Sequence, residues 1–316
     1  MDRNYWARHI AGLDPETEYE QIYRILVTHE FPWDMNQSLS FALYRTYAVP
    51  SIGRLLKRTG EFTERTQKRY DDTALVLDTV LEYGMTSPEG RTAIRRMNQM
   101  HGAYPISNDD KLYVLCTFVT MPIRWLDAYG WRSLTDHEKT ATASYYRALG
   151  QLMGIKDIPA TYPGFGDFLD RYEREYFGFD DGGLAVSEAT LRLMATFGPN
   201  RFAPRAAVTR FAKALMDDPL LDAFGYRRPA RWERRLAAGA LRLRGRIVRR
   251  MPPRAEPLFA RQLPNIRSYP AGYEVTELGT FPASAGPASA NSDSASPTSA
   301  SPTSASPTSA SPTSAS

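Results

Sequence analysis

The chain has 316 residues, 42% of them hydrophobic and 23% charged, with a formal net charge of +4. A lone cysteine, Cys116, excludes a disulfide framework and any multi-cysteine zinc or iron–sulfur site. No apolar run reaches the ~18 residues that a membrane-crossing helix needs, and Met1-Asp2-Arg3-Asn4-Tyr5 lacks the basic-then-apolar layout of a secretory signal. The cytoplasm is therefore the expected compartment.

Residues 282–316 stand apart. From Ala283 the chain is Ala, Ser, Pro, Thr and Gly with one Asn and one Asp, and it closes on four copies of Pro-Thr-Ser-Ala-Ser. Such a stretch has no large apolar side chains to offset its ordering entropy, so it reads as a disordered tail. Residues 1–281 then form a single large folding domain. Charge is also uneven. Between Arg227 and Arg254 lie eleven arginines against one acid, Glu233, a local balance of +10 that leaves −6 for the rest of the chain. A basic segment this dense implies an anionic partner, with anionic lipid and nucleic acid both candidates; no nucleic-acid recognition motif accompanies it.

The apolar periodicity is helical throughout. A first helix is expected over 15–27, capped by Asp14, with Tyr19, Ile22, Tyr23 and Leu26 inward. A second spans 36–47 and ends near Pro50. The stripe Leu75, Val76, Leu77, Val80 and Leu81 marks a helix over 70–83, stopped by Gly84. Ser87-Pro88-Glu89-Gly90 opens another that runs to His101 or Tyr104. A strongly apolar helix follows from Asn108 towards Trp125. The next, over 135–152, begins with a Thr135/Glu138 capping box. Helices over 165–177, 186–197, 205–216 and 231–249 complete the set. With no run of alternating β-branched residues, the fold class is all-α.

No phosphate-binding glycine loop, serine elbow or His-Glu-x-x-His pattern occurs, and none of His9, His29, His101 and His137 sits at the spacing of a multi-histidine metal centre. His29 and His137 lie among polar residues near helix ends and read as solvated. His101 differs: seven residues after Ile94 and four after Met97, it shares their apolar face. An inward histidine needs either a hydrogen-bond partner in the core or a metal. Arg69 and Thr73, four apart at the head of the buried stripe, pose a second question, because a buried guanidinium needs an anion. Glu64, Asp72 or the carboxylate of a cofactor could each supply one. Arg95 and Arg96 read as arginines of the solvated side.

The run from Gly90 to Tyr113 resembles the core motif of the MpaB-type oxygenases, distant relatives of the rubber oxygenases (latex clearing proteins). It carries Arg95-x-x-Asn98-x-x-His101-x-x-Tyr104, then Ile106-x-Asn108-x-Asp110-x-Leu112-Tyr113. Pro122-Ile123-Arg124-Trp125, the stretches 130–135 and 153–159, Arg261-Gln262-Leu263-Pro264 and Tyr269-Pro270-Ala271-Gly272-Tyr273 are similar to that family too, in the same order, so the likeness covers about residues 20–280. The resemblance implies a helical domain enclosing a haem b, with His101 as the axial iron ligand. It also implies Arg69 and Thr73 as haem-pocket and catalytic candidates, since the family's Arg-x-x-x-Thr helix precedes its histidine helix. Asn98, one helical turn before His101, is a supporting candidate. The chemistry so implied is haem-dependent oxidation with dioxygen, cleaving a carbon–carbon double bond of a hydrophobic isoprenoid-like substrate. Leu112, Leu115, Phe118 and Met121 could line an apolar channel, though a helical apolar stripe is usually plain core. The rubber oxygenases' glutamate finds no matching position.

Two expectations compete with this one. Another oxidative reaction could run on the same haem fold. A non-catalytic helical domain could instead bind lipid or a partner through Arg227–Arg254. In either case residues 230–250, with arginines and aliphatics at helical spacing, suit peripheral contact with a membrane.

Overall fold

The computed structural model describes residues 2–279; the expected tail over 282–316 lies outside the described residues. Fourteen α-helices and no strand occur among the described residues. They are α1 (Tyr5–Ala11), α2 (Tyr19–Ile25), α3 (Pro32–Thr46), α4 (Pro50–Thr59), α5 (Glu61–Glu64), α6 (Thr66–Tyr83) and α7 (Pro88–Gly102). Then follow α8 (Asn108–Tyr129), α9 (Asp136–Leu152), α10 (Tyr162–Tyr176), α11 (Asp181–Met194), α12 (Arg205–Ala214), α13 (Asp218–Ala223) and α14 (Arg231–Val248).

The axis of the domain is α8. Its 22 residues span about 33 Å, and Leu112, Leu115, Cys116, Val119, Ile123 and Leu126 are buried along it. Helices α3, α9, α10 and α14 pack around it. Ser107 caps its start, accepting from the Asp110 N–H at 3.0 Å. Pro122 sits inside the helix, which continues to Tyr129, past the expected end near Trp125. A second apolar cluster joins Tyr44 and Tyr47 to Val186, Leu191, Leu220 and Phe224. Here α4 crosses α11 backbone to backbone. A Cβ on Gly53 would come within 2.7 Å of the Gly183 Cα, so only glycine allows this approach.

Signals at helix starts were read correctly where a hydroxyl cap was present. Ser87 accepts from the Gly90 N–H at 2.9 Å, and Thr135 and Glu138 form the reciprocal box. Pro88 opens α7 as expected, whereas the boundaries expected at Pro15 and Pro50 differ. The first expected helix starts at Tyr19, four residues after Pro15, and passes into a π-helical turn over Leu26–Glu30. Asp14 caps the preceding turn instead, accepting from the Glu16 N–H at 2.7 Å. Pro32 opens α3 earlier than expected, and Pro50, read as a terminator, begins α4. Both fit the tolerance of a helix's first turn for a residue without an N–H.

The last described segment folds back over α6. Asp71 accepts from the Arg267 and Ser268 N–H groups at 3.0 and 2.8 Å, and Asp78 from those of Ala260 and Arg261 at 2.8 and 3.2 Å. These two buried carboxylates thus supply the hydrogen bonds that an irregular, partly buried backbone would otherwise lack.

Candidate active site

Helices α6 and α7 lie side by side and bring Arg69, Thr73 and His101 to one region. Arg69 and Thr73 line an apolar cavity whose empty space is about 1250 Å³ counted out to its open mouth. The wall is apolar and aromatic: Leu39, Leu43, Leu77, Phe118, Tyr145 and Leu149 contribute to it. Pockets that hold small ligands share this pattern of apolar wall with a few polar groups.

Among those polar groups, Arg69 is the one with a full positive charge. Its Nη1 donates to the Thr73 hydroxyl, which in turn donates to the Arg69 carbonyl at 2.9 Å. The guanidinium lies 5.1 Å from the centre of the Phe62 ring. No carboxylate comes within 4 Å of it among the described residues. The two acids considered as counterions are occupied or remote: Asp72 pairs with Lys68 at 2.8 Å and accepts from the Tyr269 hydroxyl, while Glu64 is exposed. Glu61, also nearby, is held by Arg65. Burial accordingly lowers the Arg69 pKa, and the more distant attraction of Tyr47, Asp72 and Glu61 does not offset it.

His101 stands in the last turn of α7, half-buried. Neither ring nitrogen has a hydrogen bond among the described residues. Protein packed around the imidazole, with the nearby charges of Arg69 and Lys111, pushes its pKa down to about 4. At neutral pH the ring is therefore uncharged, with a lone pair available to a metal. His101 is not itself among the cavity-lining residues; Arg69, which is one of them, is near enough for its charge to act on the imidazole. No three of His, Cys, Asp and Glu converge among the described residues. A metal held by His101 must therefore bring most of its ligands with it, as a metal porphyrin does.

Asn98 lies elsewhere. Its amide donates to the Leu152 carbonyl at 2.9 Å, in a shallow cleft shared with Arg91, Arg95 and Gln99. It ties α7 to the end of α9 and does not face the cavity. Of the four apolar residues considered for a channel, all on α8, Phe118 lines the cavity, Leu112 and Leu115 are buried in the core, and Met121 is partly buried against it. Arg96 is not a solvated arginine, because its Nε donates to the Leu278 carbonyl at 2.6 Å. His29 is likewise drawn in, its Nδ1 lying 3.2 Å from the Arg254 carbonyl and its ring 4.0 Å from that of Trp6.

Sequence reasoning missed the tyrosines. Tyr23 and Tyr146 share a hydroxyl–hydroxyl hydrogen bond of 2.6 Å at the cavity wall, and Tyr145 stacks on Tyr23 with ring centres 4.2 Å apart. Their signal was present as a Tyr-Tyr pair in a helix interior, but such residues look like core until their partner 123 positions away is known.

Residues 27–250 match the family described as ER-bound oxygenase mpaB/B'/Rubber oxygenase, catalytic domain. The chain is 29% identical over 242 residues to "ER-bound oxygenase mpaB'" of Penicillium brevicompactum, covering 71% of this chain and 57% of that protein. It is 30% identical over 229 residues to "ER-bound oxygenase mpaB" of Penicillium roqueforti (strain FM164), covering 67% and 76%. Over 152 residues it is 36% identical to "ER-bound oxygenase mpaB" of Penicillium brevicompactum, covering 46% and 39%. The match thus spans little more than half of the first relative and less of the third. No helix among the described residues is long and apolar enough to cross a membrane. With most of the domain from α3 to α14 matched in one alignment, this chain belongs to the mpaB/rubber-oxygenase catalytic-domain family.

Proposed function

We propose that the chain is a haem b-dependent oxygenase acting on a hydrophobic, isoprenoid-like substrate. The observation that carries this reading is Arg69, a half-buried guanidinium on the wall of an apolar cavity with no carboxylate within 4 Å among the described residues. A group that enters an apolar pocket yet bears a carboxylate answers both facts, and haem does so through its propionates. His101 adds a neutral imidazole, free of hydrogen bonds, beside that arginine. The chemistry that haem supplies when bound is activation of dioxygen at iron.

The residues have separable tasks. His101 would supply a nitrogen to the haem iron. Arg69 would receive a propionate, and the Thr73 clasp holds the guanidinium in one orientation, so little rotamer entropy is left to lose on binding. Leu39, Leu43, Leu77 and Leu149 exclude water and receive an apolar chain. Addition of one dioxygen across a carbon–carbon double bond, with its cleavage, leaves two carbonyl ends and balances without a further reactant. A non-catalytic protein that worked through its basic segment alone would leave the unpaired Arg69 and its cavity unexplained.

The test is the absorbance of the protein and of His101→Ala, each expressed with haem supplied. A Soret band in the parent that is lost or shifted in the variant supports the assignment. A band unchanged by the substitution removes His101 as ligand, and absence of haem from the parent sinks the proposal. Haem-loaded protein incubated with a polyprenyl substrate and dioxygen is then expected to yield shortened aldehydes or ketones, detectable by mass.

A further inference from the structure

The helix α14 has two apolar faces, and the domain uses one. Inward, Ala237, Leu241 and Gly245 are buried against the domain, where α14 meets α8 and α12, and a Cβ on Gly245 would come within 2.6 Å of the Tyr129 carbonyl of α8. Two arginines also turn inward: Arg244 pairs with Asp34 at 2.9 Å and lies over the Trp33 ring, and Arg234 pairs with Asp218. The opposite face presents Trp232, Leu236, Leu243 and Ile247, exposed by 62, 65, 56 and 52%, with Met251 just beyond at 52%. Spaced at 4, 7 and 4 residues, the first four fall on one line along the helix. Scattered exposed hydrophobics are ordinary, whereas four in a line are a contact surface.

Charge identifies what that surface meets. Arg231, Arg235, Arg246, Arg249 and Arg250 are exposed around the stripe, with no carboxylate within 4 Å among the described residues. The one acid of the helix, Glu233, is held by the Ala230 N–H at 2.7 Å and by Arg210. We infer that α14 docks on an anionic lipid surface, Trp232, Leu236, Leu243 and Ile247 entering the headgroup–acyl boundary and the five arginines pairing with lipid phosphates. A nucleic acid would satisfy the arginines but gain nothing from the apolar line. A second copy would cover the line while opposing one set of arginines with another. The helix is about 27 Å long and already anchored by its inner face, so docking requires no folding at the membrane.

The inference rests on residues apart from the cavity and stands whether or not haem binds there. Its test is flotation of the full chain with vesicles of phosphatidylcholine alone and with about 30% phosphatidylserine added. The parent is expected to float with the anionic vesicles, less so at high salt. Trp232→Ser/Leu243→Ser and Arg235→Gln/Arg246→Gln/Arg249→Gln each change exposed side chains only. Each is expected to weaken vesicle binding by more than about tenfold while leaving the thermal unfolding midpoint in place. Failure of the parent to float, or flotation unaltered in both variants, overturns the proposal. So does a dimer that the serine variant abolishes, or preferential binding of RNA by the parent.

Discussion

Arg45 is buried and Arg69 half-buried, and the protein treats them in opposite ways. Arg45, on α3, forks onto Glu173 of α10 through Nε and Nη2 at 2.5 Å each, and its Nη1 reaches Asp217 at 2.5 Å. Burial alone would lower its pKa, but the hydrogen bonds and charge of Glu173, with Asp217, outweigh that and the net shift is upward. Arg69 has a hydroxyl, an aromatic face and no carboxylate, and its net shift is downward. The first charge is complete as folded and belongs to the scaffold. The second is left unneutralised at a cavity wall, which is where a binding site stores its attraction for a ligand.

This contrast predicts a ranked set of outcomes. The largest effect belongs to Arg45→Ala, which strands the Glu173 carboxylate in the core and is expected to cost about 3–5 kcal/mol in urea unfolding. A much smaller loss would mean the pair is as dispensable as a surface one. Next comes the titration of His101 in the cofactor-free protein. Its folded pKa lies below the unfolded value, so the unfolded chain binds the extra proton, and stability falls as pH drops from about 6.5 to about 4. At 1.36 kcal/mol per pKa unit the full span is about 3 kcal/mol at most, and His101→Gln is expected to flatten that part of the curve. Smallest is Arg69→Met, expected to alter the stability of the cofactor-free protein by less than about 1 kcal/mol or to raise it, while haem retention on gel filtration falls. If Arg69→Met destabilised as strongly as Arg45→Ala, the distinction between the two arginines would collapse.

The helical framework was legible because its signals are local. The Ser87 and Thr135 caps, the α6 stripe and the inward side of α7 each depend on residues within a turn or two. Arg69 and Thr73 were legible for the same reason, being one helical turn apart. What could not be read is whatever a distant partner decides. Arg45 meets Glu173 128 positions away, and nothing around Arg45 announces it. Asn98 shares a helix with His101, yet the Leu152 carbonyl, 54 residues on, takes its amide. The spacing of 98 and 101 places them a turn apart but leaves open which neighbour each one faces. Proline misled because the same missing N–H suits it to ending one helix and to beginning the next.

The cavity wall also carries a statement about order in time. It is assembled from Tyr23 near the start of the chain, Thr73 and Ala74 of α6, Tyr145 and Tyr146 of α9, and Leu258, Ala260 and Leu263 from the segment that Asp71 and Asp78 fasten down. No contiguous fragment holds all of these. A nascent chain emerges from the ribosome N-terminus first, so the wall stays incomplete until residue 263 has left the exit tunnel. Loading of any ligand at this site is accordingly an event that follows synthesis of the domain.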